Sequence, residues 1–218
     1  MTETTLQPPR FALFELAYLL TGRTDENSAR SREIIGIPEV PEPEGVIFQA
    51  GLSGLITRGL ITEDEVGLIP QKEAALLGMI LATAQHWVSI AVRRPELVDL
   101  SLLVQGERAS CLIRRAPGPT FDVVFIRPGE AIADAAFAIA SNLLDEGETA
   151  LMVRTASVST ESALFVQNTA SDGWQLGLDP VFPDQEEWPA PDLEATAADR
   201  GSALHALRVV LDADRPAA

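Results

Sequence analysis

The sequence predicts an α+β fold: a mostly antiparallel central sheet with helices packed on it, entered through a helical N-terminal segment. Three observations predict it. Residues 11–84 carry helical spacing and helix-stop signals and little alternation. Residues 87–127 then switch to a period of two in four runs broken by turn residues. Residues 130–144 return to a helical period, with Ile132, Ala136, Ile139, Ala140 and Leu143 on one face and acidic residues near the start.

Taken in order, residues 1–10 carry no pattern and are expected to be disordered. Residues 11–20 are apolar nearly all round and end at Gly22, which reads as a short buried helix with a glycine stop. Residues 23–33 are polar and rich in arginine, as an exposed connection would be. Pro38, Pro41 and Pro43 exclude helix and point to an extended surface run over 37–45. A helix follows over 46–59, with Ile47, Leu52, Leu55 and Ile56 sharing a face. Gly51 and Gly54 would each cost it up to ~1 kcal/mol against alanine, so close packing on a neighbour is the expected reason for them. Gly59 closes this helix, and Thr62 with Glu65 has the form of a capping box that starts another. A helix over 71–84 buries Leu76, Leu77, Ile80 and Leu81.

The strands follow as a four-stranded antiparallel meander. Its alternating sets are Val88, Ile90 and Val92, then Leu100, Leu102 and Val104, then Ala109, Cys111 and Ile113, and finally residues 121–126. Gln105, Gly106 and Glu107 make a hairpin, and residues 115–119 the next turn. The last run is apolar on both faces toward its end, as in a central strand. After the helix at 130–144, strands are expected at 149–153, 162–168 and 174–178. The domain reading is a body over 11–178, an acidic proline-rich loop at 179–195, and a C-terminal segment 196–218. That segment's helix packs on the body through Leu204, Leu207, Val210 and Leu211.

The chain has 218 residues, long enough to bury a core without metals or disulfides. Its formal charge is −16, which repels nucleic-acid phosphates and anionic membrane surfaces, so neither is expected as a partner. The single cysteine, Cys111, rules out an intrachain disulfide and suits a reducing compartment. Residues 11–20 are too short and contain Glu15, so they do not read as a secretion signal, and no run reaches the ~20 apolar residues of a membrane span. A cytoplasmic location is the expectation.

No catalytic, cofactor or metal site is expected. His86 and His205 lie far apart, and neither stands at ligand spacing from Cys111. Cys111 falls on the apolar side of a strand, where a thiol behaves as a small hydrophobe. Lys72 follows Gln71 instead of a glycine-rich turn, and the glycines at 51, 54 and 59 do not follow a strand, so neither phosphate-binding nor dinucleotide loops are present. Glu63, Asp64 and Glu65, and Asp145, Glu146 and Glu148, lack the spacing of a calcium loop. The pairs Arg93–Arg94 and Arg114–Arg115 sit at strand ends, where they solvate the sheet edge.

Residues 11–144 resemble the EspG family, the chaperones associated with ESX (type VII) secretion in actinobacteria. The resemblance rests on several pieces in sequence. A short helix and a proline-bearing stretch precede a small-residue helix ending in Leu55, Arg58, Gly59, Leu60 and Ile61. A helix over 74–84, alternating strands including 100–104, an arginine-rich strand 108–115, residues 121–126 and the helix 130–144 follow. The step Arg58-Gly59-Leu60 before an acidic turn is its most characteristic part. Residues 149–218 are shorter than the family's second half, and the segment 179–199 has no counterpart in it, so no binding residues carry over. The resemblance implies a non-enzymatic cytosolic chaperone or adaptor, without cofactors, that binds helical PE/PPE-like secretion substrates. The alternative is a regulatory or self-associating protein of the same fold, a homodimer for instance, unconnected with secretion.

Overall fold

The computed structural model describes residues 7–37, 45–65, 67–93, 98–145, 149–169, 173–178 and 195–213. In chain order the elements are β1 (Arg10–Ala12), α1 (Leu13–Leu19), α2 (Glu26–Ile35), α3 (Val46–Thr57), β2 (Ile61–Asp64), β3 (Gly67–Pro70), α4 (Lys72–Ala82), β4 (His86–Arg93) and β5 (Val98–Gln105). They continue as β6 (Ser110–Ala116), β7 (Thr120–Ile126), α5 (Ile132–Asp145), β8 (Thr149–Ala156), β9 (Glu161–Thr169), β10 (Gly173–Leu178), β11 (Thr196–Ala198) and α6 (Arg200–Ala213). The expected α+β fold is therefore present. One sheet runs in the order β1-β7-β6-β5-β4-β8-β9-β10-β11, and β2 and β3 form a separate hairpin. The meander over β4 to β7 holds its expected neighbours. Among the described residues no helix is long and apolar enough to cross a membrane.

The chain divides into two compact units. The first comprises residues 1–84 and 104–128, the second residues 85–103 and 129–218. In the first unit, α1 packs on α3, and α2 and α1 each touch α4. Phe11, Leu16, Leu20, Leu55, Leu77, Ile80 and Leu81 are buried there, with Cys111, Ile113 and Val123 from the strands. In the second unit, α5 lies on β4 and β8, while α6 lies on β8, β9 and β10. Their apolar stripes, Ile132, Ala136, Ala140 and Leu144 on α5 and Ala203, Leu207, Val210 and Leu211 on α6, are buried. Strand β4 is buried at every position from His86 to Val92, the signature of a strand covered on both faces.

The structure corrects six local expectations. Residues 11–20 do not begin as helix: Phe11 lies in β1, paired with Phe121 of β7, and α1 starts at Leu13. Residues 23–33 are not an exposed connection but carry most of α2. The Asp25 carboxylate caps that helix by accepting from the Ser28 amide at 2.8 Å, and Gly36 ends it at φ +73°. Its two buried side chains are Ser28 and Ser31, so no apolar stripe marks it in the sequence. Thr62 to Glu65 start no helix. They belong to the β2–β3 hairpin, where Thr62 pairs with Ile69 and the Asp64 carboxylate accepts from the Gly67 amide at 3.1 Å. Pro70 leaves too little room for a helix between Thr62 and itself, and Gly67 at φ +131° supplies the turn.

The remaining corrections concern strands and the last helix. β7 is not the central strand, since only three-residue β1 lies outside it and Val124 is 45% exposed; β4 takes that place. The C-terminal helix starts at Arg200, not at residue 196, because Thr196 to Ala198 pair with β10 and Asp199 caps α6 through the Ser202 amide at 2.7 Å. Residue 10, expected to be disordered, forms the first β1 pair with Asp122. The expectations for residues 1–6, 38–44 and 179–194 fall outside the described residues.

Candidate interaction surface

The local chemistry of the first unit begins with the glycines of α3. A Cβ on Gly51 would lie 2.1 Å from the Phe14 carbonyl oxygen, and one on Gly54 would lie 2.7 Å from Glu15 Oε1. Only glycine lets the backbones of α1 and α3 meet this closely, which is the packing role expected of these residues. The approach delivers Glu15 into the joint, where it is only 4% exposed. Its Oε2 accepts from the Ala12 amide at 2.8 Å and from Arg58 Nη1 at 2.7 Å. The Arg58 guanidinium also stands 5.1 Å from the centre of the Phe11 ring. A buried carboxylate is thereby given both a cation and a backbone donor, which offsets the cost of removing it from water.

With its glycine face turned to α1, α3 directs Val46, Gln49, Ala50, Ser53, Ile56 and Thr57 to solvent. None of the six carries a charge, although the chain as a whole has a net charge of −16. Val46 is 86% exposed and Ile56 48%. Phe14, 41% exposed, flanks Gly51 from α1, and Tyr18 and Phe48 meet beside it with ring centres 4.9 Å apart. Strand β2 touches α3, and its hairpin exposes Glu63, Asp64, Glu65 and Leu68. The result is an uncharged, partly apolar helix face with three carboxylates at its end. An exposed apolar face of this kind is the type of surface that protein–protein contacts bury.

The residues weighed for chemistry do not come together. His86 is fully buried, its Nε2 within 2.7 Å of the Thr155 hydroxyl, and it serves as a polar link between β4 and β8. His205 is exposed on α6. Cys111 is buried, and burial pushes its thiol up to about 12, far from a reactive thiolate. Lys72 is exposed at the start of α4, and Arg93 ends β4. Arg94, Glu146 and Glu148 lie outside the described residues, while Asp145 pairs with Arg200 at 2.8 Å. Among the described residues no group of three or more His, Cys, Asp or Glu is placed to hold a metal ion.

Sequence reasoning missed the Glu15–Arg58 pair. Its one available signal was a carboxylate inside an otherwise apolar run, a position that demands a partner. What the described residues define is an α+β protein with an uncharged, solvent-facing side on α3. No protein-family model matches the chain, and comparison with curated proteins gives no match.

Proposed function

We propose that this protein works by binding another protein: a cytoplasmic, non-catalytic chaperone or adaptor whose client is a helical segment of a secretion substrate. The observation that carries the reading is the solvent-facing side of α3, where Val46 and Ile56 stand exposed on a helix without a single charge. A client helix buries the same kind of surface when it docks, in the helix-on-apolar-face mode of recognition. The EspG resemblance supplies the client class, and its most characteristic residue, Arg58, holds α3 against α1 through Glu15.

The test is affinity capture of the tagged full chain from its native cytosol, with mass spectrometry of what it retains. One helical secretion substrate in near-stoichiometric amount is the expected result. The double variant Val46→Asp, Ile56→Asp should lose that client while its unfolding free energy changes by no more than about 0.5 kcal/mol, as for exposed positions. Capture of the chain alone, or a client retained unchanged by the double variant, overturns the reading. The first outcome moves the weight to a self-associating regulatory protein.

A further inference from the structure

We infer that the outer edge of β7 is a second docking site, which takes an extended acidic segment of a partner protein as an added strand. Among the described residues, β1 pairs with this edge from Thr120 to Asp122. The Val123 amide then donates to the Pro9 carbonyl at 2.9 Å. Outward-facing backbone groups alternate along a strand, so the next outward amide and carbonyl belong to Phe125. Continued by two residues, the same register sets Phe125 opposite Gln7, and among the described residues no backbone hydrogen bond joins the two. Among the described residues, no strand pairs with residues 124–126 on this side. An edge of this kind is a template for strand addition.

Charge complementarity selects the occupant. Residues 104–128 hold four arginines against two carboxylates, in a chain whose net charge is −16. One of those carboxylates, Asp122, is already held by Arg10 at 2.7 and 3.1 Å. This pairing keeps the Asp122 carboxyl below its usual range, chiefly through the Arg10 hydrogen bond. Arg114, directly across the ladder from Asp122, and Arg127, just past β7, are exposed and make no ion pair among the described residues. On the same face as Arg114, Val124 is 45% exposed and Ile126 half-buried. An extended segment that alternates carboxylates with β-branched residues satisfies all three features: backbone donors, free guanidinium groups and the exposed valine. The inference is independent of the α3 surface.

The test uses the full chain labelled with ¹⁵N and two capped probe peptides, one alternating Glu with Val and the other alternating Lys with Val. The acidic probe should slow exchange of the Phe125 amide by about tenfold or more. Its affinity should drop about fivefold or more between low and high salt, and by at least as much in Arg114→Glu. The Lys probe should leave Phe125 unchanged. No protection of Phe125 by the acidic probe overturns the inference, and so does equal binding of both probes. Protection that depends on protein concentration without any probe also overturns it, because a second copy of the chain then occupies the edge.

Discussion

The two units of the molecule hold their helices by opposite means. In the first unit, α1 and α3 are joined at a glycine contact that encloses a buried carboxylate, and α2 is tied to α4 by the Ser31 hydroxyl, which donates to the Leu81 carbonyl at 2.7 Å. In the second unit, α5 and α6 rest on alanine and leucine stripes. Their polar contacts lie at the rim: Arg200 with Asp145, and Arg208 with Asp134 at 2.7 Å and with Asp212 at 2.9 Å. Buried polar joints are specific and intolerant of loss, because a stranded group keeps its desolvation cost. Exposed ion pairs are screened and weak. The first unit should therefore break at single positions, and the second should erode gradually.

That contrast can be broken in order of size. Gly51→Ala drives a methyl against the Phe14 carbonyl and forces α1 and α3 apart. It should cost more than about 3 kcal/mol in urea unfolding, beyond ordinary overpacking, because the obstacle is backbone. Arg58→Ala strands Glu15 and should cost about 3 kcal/mol, the low end for one-sided loss of a buried pair, since Arg58 is partly exposed. Ser31→Ala removes the buried hydrogen bond to the Leu81 carbonyl and should cost about 1 kcal/mol. In the second unit, Arg208→Ala should cost less than about 1 kcal/mol, and 1 M NaCl should abolish the difference from the parent chain. A loss at Arg208 equal to that at Arg58 would falsify the contrast.

A pH experiment sharpens the same comparison at its small end. Burial pushes the Asp25 carboxyl up, but the Ser28 amide and hydroxyl, its own amide and Arg23 outweigh this, and the group ends below its usual value. A depressed carboxylate stabilises the fold above its unfolded pKa and loses that contribution as pH falls through the folded one. Protection of the Ser28 amide should therefore persist at neutral pH and fade only below about pH 4. Asp25→Ala should remove the fade, at a cost of about 1 kcal/mol for a lost cap.

Much of this architecture is legible in the sequence, and the misses share a cause. Strands β4 to β7 and helix α5 announce themselves because their apolar residues keep the period of the element. Helix α2 does not, because serine occupies its two buried positions and its only marks are Asp25 and Gly36 at its ends. The β2–β3 hairpin was hidden by acidic residues that imitate a helix start. The surface on α3 is half legible. Gly51 and Gly54 predict a close neighbour, but that Phe14 and Glu15 supply it is a contact across more than thirty positions of chain. No local pattern carries such information. The edge at β7 was misread because residues 121–126 have the composition of a central strand, whereas burial depends on what lies beside a strand.

Cys111 has a use that follows from its placement in the first unit. A thiol held at about 12 and sealed from solvent is chemically silent while the fold is closed. When the unit opens, the same thiol returns to an ordinary cysteine and is captured at once by any alkylating reagent in the medium. The chain therefore carries its own clock. The rate at which it takes up a thiol label, with no denaturant present, counts how often the core around β6 comes apart, and each substitution at the α1–α3 joint can be timed against it.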